Sequence, residues 1–307
     1  MSQTVVIVNP HSRSGEIGRR LPELERLLQR HVPDHRVVLT EREGDGRRLA
    51  QVALAAGASR VAVAGGDGTT SEVVSGLFAA HERPAVELAI LPCGSGGDFG
   101  RLLGLGRDLE VAVARLASGK RRQVDVGRVS YRGADDRPEV RWFLNIASFG
   151  MSADAAHWLA EQGRRGKRGP LSYIESGLRG VFSYDPKPVR VKVDGELVHT
   201  GKLFLGAAAN GQYFGAGMQI APHARPDDGV FDVVLAGQLG KAQALWLFPK
   251  LQNGRHLGDC HIKVSRGKLV ELESDDEIWL EADGEPLGRL PARLELLPLA
   301  LTLGGLP

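Results

Sequence analysis

The stretch Val61-Ala62-Val63-Ala64-Gly65-Gly66-Asp67-Gly68-Thr69-Thr70-Ser71-Glu72 constrains this chain more than any other. An unbroken apolar run reads as a buried strand. The glycines after it let the backbone turn sharply, and Thr69 to Phe78 reads as a helix. A strand that turns through glycine into a helix is the unit of a parallel sheet covered by helices. Such a turn also gathers free N–H groups at a helix N-terminus, where an anion is favoured.

The same alternation runs through the first part of the chain. Val5 to Val8 is an apolar run ending at Asn9-Pro10, and Ile17, Leu21, Leu24, Leu27 and Leu28 recur at helical spacing. Val37-Val38-Leu39 is a second strand, Leu49 to Ala56 a helix closed by Gly57, and Leu88 to Leu91 a strand stopped by Pro92. In open sheets of this kind ligands bind beyond the carboxyl ends of the strands. Asn9, Thr40, Gly65 and Pro92 each follow a strand, so their loops are expected to converge.

From about Val124 the signals become short, strand-like and punctuated by Gly, Asp and Pro: Val140 to Phe149, Val189 to Val193, Leu203 to Ala208, Val230 to Leu235, His261 to Val264, Leu269 to Leu272 and Glu277 to Leu280. This predicts an antiparallel, sandwich-like domain. Helices are expected only at about Ala153 to Glu161 and Lys241 to Gln252. The expected domains are 1–124, α/β, and 125–293, β-sandwich. The apolar segment 294–307 is a candidate to return to the first.

Composition narrows the class. With 42% hydrophobic and 25% charged residues the chain is globular, and a formal net charge of +2 gives no global case for nucleic acid. Cys93 and Cys260 are far apart and have no ligand cluster beside them, which argues against a disulfide framework or a zinc site and suits a reducing cytoplasm. No stretch approaches the roughly 20 apolar residues a spanning helix needs.

Three motifs carry chemistry. The first is the Gly65–Thr69 turn. It lacks the Gly-Lys-Ser/Thr of a Walker A loop and the glycine spacing of a dinucleotide fingerprint. Asp67 would repel phosphate unless a cation lay between them, which suggests Mg²⁺-nucleotide. The alternative is that Asp67 only caps the helix. The second is Leu91-Pro92-Cys93-Gly94-Ser95-Gly96-Gly97-Asp98-Phe99-Gly100-Arg101, where Ser95 and Arg101 can meet a phosphate and Asp98 is expected to cap the next helix. The third is Glu281-Ala282-Asp283-Gly284-Glu285. One of its carboxylates can accept a hydroxyl proton, or the segment is a type I′ hairpin turn with exposed acids.

Together these segments resemble the diacylglycerol kinase catalytic family, which includes sphingosine kinases and bacterial lipid kinases, across nearly the whole chain. Asn9-Pro10 through Ser14-Gly15 resembles its Asn-Pro loop, Thr40 with Gly44-Asp45 its second nucleotide loop, and Gly65 to Thr69 its signature. Pro92 to Arg101 is similar to its Pro-x-Gly-Thr-x-Asn-Asp-Phe-x-Arg stretch, with Gly97 where the family has Asn. Val124-Asp125-Val126-Gly127, Asn145 to Gly150, Asn210, and Pro226 through Asp232 match further blocks. Asp283-Gly284-Glu285 matches its catalytic triplet.

The resemblance implies an NAD-kinase-like α/β nucleotide-binding domain followed by a β-sandwich domain, with ATP in a cleft between them. It places nucleotide contacts at Asn9, Ser12, Thr40, Gly65, Gly66, Asp67, Gly68, Thr69, Thr70, Ser71 and Ser95. Glu285 falls at the proton acceptor, and Asp67 and Asp125 at positions that support a catalytic Mg²⁺. A second, structural Mg²⁺ falls at the Asp228 carboxylate with the backbone oxygens of Arg225 and Val230. The implied partner is a lipid substrate at the inner face of a membrane. A homodimer is compatible with this, and nucleic acid and a transmembrane segment are not expected. Arg164 to Arg168 can meet anionic headgroups or be a solvated loop. Ala244 to Phe248 can dip into an interface, although core packing is the expectation for Trp246 and Phe248. An NAD kinase or sugar kinase, or a nucleotide-sensing protein without catalysis, are the competing classes. The Pro92–Arg101 block and Asp283-Gly284-Glu285 favour the lipid kinase.

Overall fold

Thr4–Val8 forms β1, buried at every position, and it sits inside a parallel sheet as a continuous apolar run should. The computed structural model describes residues 3–92, 97–164, 170–215 and 217–307. They fall into two units, residues 1–126 with 298–307 and residues 127–297. The sequence pattern puts the change of character at about 124 and the apolar return at about 294.

In the first unit β1 is followed by α1 (Ser12–Arg19), α2 (Leu21–His31), β2 (His35–Leu39), α3 (Asp45–Ala55), β3 (Arg60–Gly65), α4 (Asp67–Leu77), β4 (Glu87–Pro92), α5 (Asp98–Leu102) and α6 (Leu109–Ser118). The strands pair in parallel in the order β2-β1-β3-β4, and Thr302–Gly304 adds a further parallel strand beside β4. Val6, Val8, Ala62, Ala64 and Leu91 pack against Leu24, Leu28, Val113 and Leu116. The helical pattern from Ile17 to Leu28 divides at Arg20 into two helices. Pro22 has no N–H to continue the ladder and is at home in the first turn of a new helix. The sequence reading did not include α6. Its start is fixed by Asp108, whose carboxylate accepts the N–H of Val111 at 3.0 Å.

The second unit begins in β5 (Lys120–Arg132) and continues through β6 (Pro138–Phe143), β7 (Ile146–Gly150), α7 (Met151–Arg164), α8 (Pro170–Ser183), β8 (Lys187–Val193), β9 (Glu196–Leu203), β10 (Leu205–Ala209), β11 (Tyr213–Phe214) and β12 (Met218–Gln219). Then come β13 (Phe231–Ala236), α9 (Lys241–Leu247), β14 (Ile262–Gly267), β15 (Leu269–Glu273), β16 (Trp279–Ala282) and β17 (Glu285–Leu306). Within this unit pairing is antiparallel, β14-β13-β10-β7-β16-β17 and β17-β15-β8-β9, with β5 and β6 a hairpin. Phe143, Phe149, Phe231, Val191, Leu272, Leu280 and Leu294 share one core, where Phe143 and Phe231 stack at 5.8 Å between ring centroids.

Three expectations change here. Val140 to Phe149 is not one strand, because the chain breaks between β6 and β7 at Leu144-Asn145, where the Asp283 carboxylate takes the N–H groups that a ladder would use. The helix expected to Gln252 stops at Leu247 and continues as a 3₁₀ turn over Phe248–Gln252, since Pro249 cannot donate to the α-helical ladder. And α8 lies where no helix was expected. Among the described residues, no helix is long and apolar enough to cross a membrane.

Candidate active site

The loops that follow β1, β2 and β4 are tied to α4, the helix into which the β3 turn runs. Asn9 donates from Nδ2 to Thr69 Oγ1 at 3.0 Å. Glu72 accepts Gly44 N–H at 2.8 Å and Gly46 N–H at 2.9 Å, which fixes the loop after Thr40. Gly97 N–H donates to Asp67 Oδ2 at 2.8 Å. The convergence expected from the strand ends is therefore made of specific hydrogen bonds. Thr40 is buried, its N–H donating to Val8 O at 2.9 Å, and Ser12 begins α1 with its N–H on Asn9 O at 3.1 Å. Thr70 Oγ1 donates to Gly66 O at 3.1 Å, and Gly68 lies in the first turn of α4. The buried Ser71 Oγ has no hydrogen-bond partner among the described residues. Cys93 and Ser95 lie outside the described residues.

Beside this turn is a cavity of about 480 Å³, walled by Gly65, Gly66, Asp67, Thr70, Arg101 and Arg107, among others. Backbone at glycine, a hydroxyl and two guanidinium-bearing residues are the donors a polyphosphate requires. A Cβ on Gly65 would stand 2.8 Å from Thr69 Cβ, so the close approach of strand end and helix start depends on glycine there. Asp67 is not the cap of α4. The N-cap is Gly66 without a side-chain bond, and the carboxylate instead crosses to Gly97. Burial pushes its pKa up, partly offset by the N–H groups of Gly97 and Asp98. A cation at that carboxylate would oppose the effect of burial, so Asp67 fits a Mg²⁺-nucleotide in kind. Asp98 is not a cap either, since α5 is capped by Gly97, at φ +67°. Asp125 is fully buried. Its Oδ1 accepts Leu299 N–H at 2.7 Å, and it is not among the residues that wall the cavity.

In the second unit the Asp283-Gly284 pair forms a tight turn, both residues at positive φ (52° and 80°), joining β16 to β17 with Ala282 paired to Glu285. This is the type I′ hairpin that Asp-Gly favours. Its acids are not simply exposed. Asp283 accepts Leu144, Asn145 and Ile146 N–H at 2.9, 3.0 and 3.1 Å. Glu281 is 4% exposed and Glu285 is half-buried. The matching blocks at Asn145 and Asn210 brace the same turn region: Asn210 Nδ2 donates to Leu144 O and Asn145 Nδ2 to Tyr213 O, each at 2.7 Å.

At the expected structural metal position, Asp228 forms an ion pair through Oδ2 with Arg266, and its Oδ1 accepts Val230 N–H at 3.3 Å. Arg266 also reaches Asp232 Oδ1 at 3.2 Å, and Arg225 pairs with Asp227 at 3.4 Å. The buried Asp232 Oδ2 has no hydrogen-bond partner among the described residues, so the loop holds more negative charge than one guanidinium satisfies. A carboxylate at this position suits a hard cation in kind, with Arg266 as its competitor.

Trp246 does not pack in the core as expected; it is 60% exposed beneath Lys250, whereas Phe248 packs against the core. The basic run 165–168 lies outside the described residues. Sequence reasoning passed over Glu72, Arg107 and the Ser148–Glu281 pair. The place of Glu72 in the first turn after a glycine loop was an available signal. Burial of Glu281 depends on strand register and had none.

Two profiles match the chain: the diacylglycerol kinase catalytic domain over residues 3–129, and the YegS C-terminal NAD kinase beta sandwich-like domain over residues 145–304. A Chromohalobacter salexigens protein named "Probable lipid kinase YegS-like" is 35% identical over 92% of this chain and 89% of its own. A Bacillus subtilis diacylglycerol kinase is 27% identical over 95% and 92%. Among solved structures, a diacylglycerol kinase from Bacillus anthracis superposes with TM-score 0.78 at 25% identity, covering 98% of this chain and 96% of its own. An NAD kinase from Archaeoglobus fulgidus, solved with ATP, shares the fold at TM-score 0.52 and 16% identity.

Proposed function

The chain belongs to the diacylglycerol kinase catalytic family, and from that membership we propose that it transfers the γ-phosphoryl group of ATP to a lipid hydroxyl with Mg²⁺ as companion ion. The observation that carries this reading is the tying of the loops after β1, β2 and β4 to α4, the helix that follows the β3 turn and begins at the Asp67 cavity.

In this reading Asn9, Ser12, Thr40, Gly65 to Ser71 and Ser95 hold the nucleotide. The glycine N–H groups and the positive end of α4 meet phosphate oxygens, and Arg101 and Arg107 add charge from the cavity wall. Mg²⁺ would neutralise charge that develops on the transferred group. Asp67 is its chief protein support. Asp125 would support the ion alongside the bond that its Oδ1 accepts from Leu299 N–H. Glu285 accepts the proton of the lipid hydroxyl. The half-buried setting of Glu285 and the rigid turn beneath it suit a base that must be both reachable and fixed. Arg225 O, Asp228 and Val230 O would hold a second, structural Mg²⁺.

The acceptor is a hydroxylated lipid taken at the inner face of a membrane, where the exposed Trp246 offers an aromatic ring of the kind that settles at interfaces. The test is ATP consumption by the purified protein with and without mixed micelles of diacylglycerol, phosphatidylglycerol or sphingoid base, with the products identified by mass spectrometry. Lipid-stimulated ADP release with a phosphorylated lipid product supports the reading. Phosphorylation of NAD instead, with every lipid inert, overturns it.

A further inference from the structure

Glu281 is a carboxyl group inside the second unit that the proposed chemistry does not use. It lies on β16, is 4% exposed, and is paired across the strand with Ser148 of β7, which is fully buried. Glu281 Oε1 is hydrogen-bonded to Ser148 Oγ, and Ser148 Oγ lies 2.7 Å from Ser152 Oγ at the start of α7. Glu281 Oε2 accepts Gly284 N–H at 2.8 Å. Ser148 has one hydroxyl proton and two short oxygen contacts. With Glu281 neutral the set closes with Oε1–H donating to Ser148, Ser148 to Ser152, and the carbonyl Oε2 receiving Gly284.

An ionised Glu281 would be poorly placed. Among the described residues, no hydrogen bond or ion pair joins it to a basic side chain, and the charged groups acting on it most strongly are the carboxylates of Asp283 and Glu285. β7 carries no titratable side chain. α7, packed on β16, brings Asp154, itself pushed up by burial, and His157, whose ring meets Trp279 at 4.4 Å. On β17, Arg289 is engaged by Glu277 at 2.7 Å.

We propose that Glu281 is a positioning residue for Glu285: a neutral, buried carboxyl that, with Ser148 and Ser152, clamps the Asp283-Gly284 turn and so fixes where the Glu285 carboxylate points. This rests on the reading of Glu285 as proton acceptor. The clamp works because Gly284 N–H, one residue before Glu285, is held from inside the sheet while Asp283 holds the neighbouring β6–β7 break. Burial, with the two neighbouring carboxylates, pushes Glu281 up to about 8, so the clamp is intact at neutral pH and fails in alkali.

The experiment compares the parent with E281Q and E281A. Gln keeps the carbonyl for Gly284 and a donor for Ser148, whereas Ala removes both. E281A should lower kcat by about 10²-fold, the scale of a misplaced catalytic group, with KM for ATP unchanged. E281Q should lose only a few-fold and should lack the alkaline limb that the parent shows near pH 8. Stability gives a readout free of catalysis. A raised folded-state pKa contributes stability that is complete below the ordinary value of 4.5 and is lost as pH rises to about 8. Between pH 5 and pH 8 the folded-to-unfolded ratio of the parent should fall relative to E281Q by on the order of several hundred-fold. Parallel stability profiles for parent and E281Q, or E281A at the parental kcat, would overturn the proposal. If E285Q keeps the parental rate while the stability profiles of parent and E281Q diverge, the buried carboxyl stands and the base assignment fails.

Discussion

Replacing Asp67 by Asn should move stability and activity in opposite directions. The carboxylate is partly buried beside the glycine turn, and burial raises its pKa despite the N–H groups of Gly97 and Asp98. Without a cation, its charge therefore works against the folded state. The raised pKa means that its contribution to stability is full below the ordinary 3.8 and declines as pH rises through the folded value. Asn is isosteric, keeps an acceptor for Gly97 N–H, and carries no charge. D67N without magnesium should thus melt higher than the parent at pH 7, with the gap closing toward pH 4. Its ability to support Mg²⁺-ATP should drop: losing one carboxylate that faces transition-state charge costs about 3–4 kcal/mol, or roughly 10²–10³ in kcat/KM. Thermal melts in EDTA and in Mg²⁺-ATP from pH 4 to 8, beside steady-state kinetics, read both quantities. A D67N protein that melts lower in EDTA and gains as much from Mg²⁺-ATP as the parent would refute the reasoning, because Asp67 would then be a structural acceptor only.

E285Q should cut kcat by about 10²–10⁴-fold, the usual contribution of a general base, and leave ATP affinity near the parental value by titration. G97N restores the residue its family carries there. Gly97 is left-handed and a Cβ meets nothing within 4 Å among the described residues, and Asn tolerates that conformation, so the melting point should fall by no more than the equivalent of about 1 kcal/mol while KM for ATP changes. R266M removes the guanidinium competing at Asp228 and should destabilise the magnesium-free protein by about 1–3 kcal/mol, since it leaves the buried Asp232 unpaired. Its melting point should then rise more steeply with added Mg²⁺ than the parent's. Equal insensitivity of both proteins to Mg²⁺ would remove the structural ion.

The α/β half was legible because its signals are local. An apolar run, a glycine turn and a helical repeat recur within a few residues, and the loops of Asn9, Thr40, Gly65 and Pro92 follow strands whatever the tertiary packing. What could not be read is what each acid does once the sheets form. Asp67 and Asp98 both look like helix caps by position, yet the caps are Gly66 and Gly97, and the Asp67 carboxylate spans 30 residues of sequence to Gly97. Strand register decides that Glu281 meets Ser148, and the break between β6 and β7 exists because a side chain 138 residues away accepts Asn145 N–H. Periodicity carries no trace of contacts at that separation. Trp246 misled in the other direction: its neighbours Ala244 and Leu247 are buried, and a short helix turns the ring between them outward.

Three acids within five residues illustrate how one hairpin can divide its labour by environment alone. Trp279 and Glu281 lie two apart on β16, so both point to the face that α7 covers, where Trp279 meets His157 and Glu281 reaches Ser152 through Ser148. Glu281 is hydrogen-bonded to a hydroxyl there and, among the described residues, to no basic side chain, which favours the proton-bearing form. Asp283 stands at the turn itself, where positive φ lets its short side chain fold back onto three consecutive N–H groups, an acceptor role that removes it from chemistry. Glu285 begins the next strand and keeps a partly exposed carboxylate. A base must be ionised, reachable and still, and the first two conditions conflict with the third unless the groups on either side are fixed. Gly284 N–H bound to Glu281 and Asp283 bound across the β6–β7 break supply that fixity. The two glutamates cannot exchange these roles: the carboxyl at 281 is too buried to ionise readily, and it is the one that accepts Gly284 N–H.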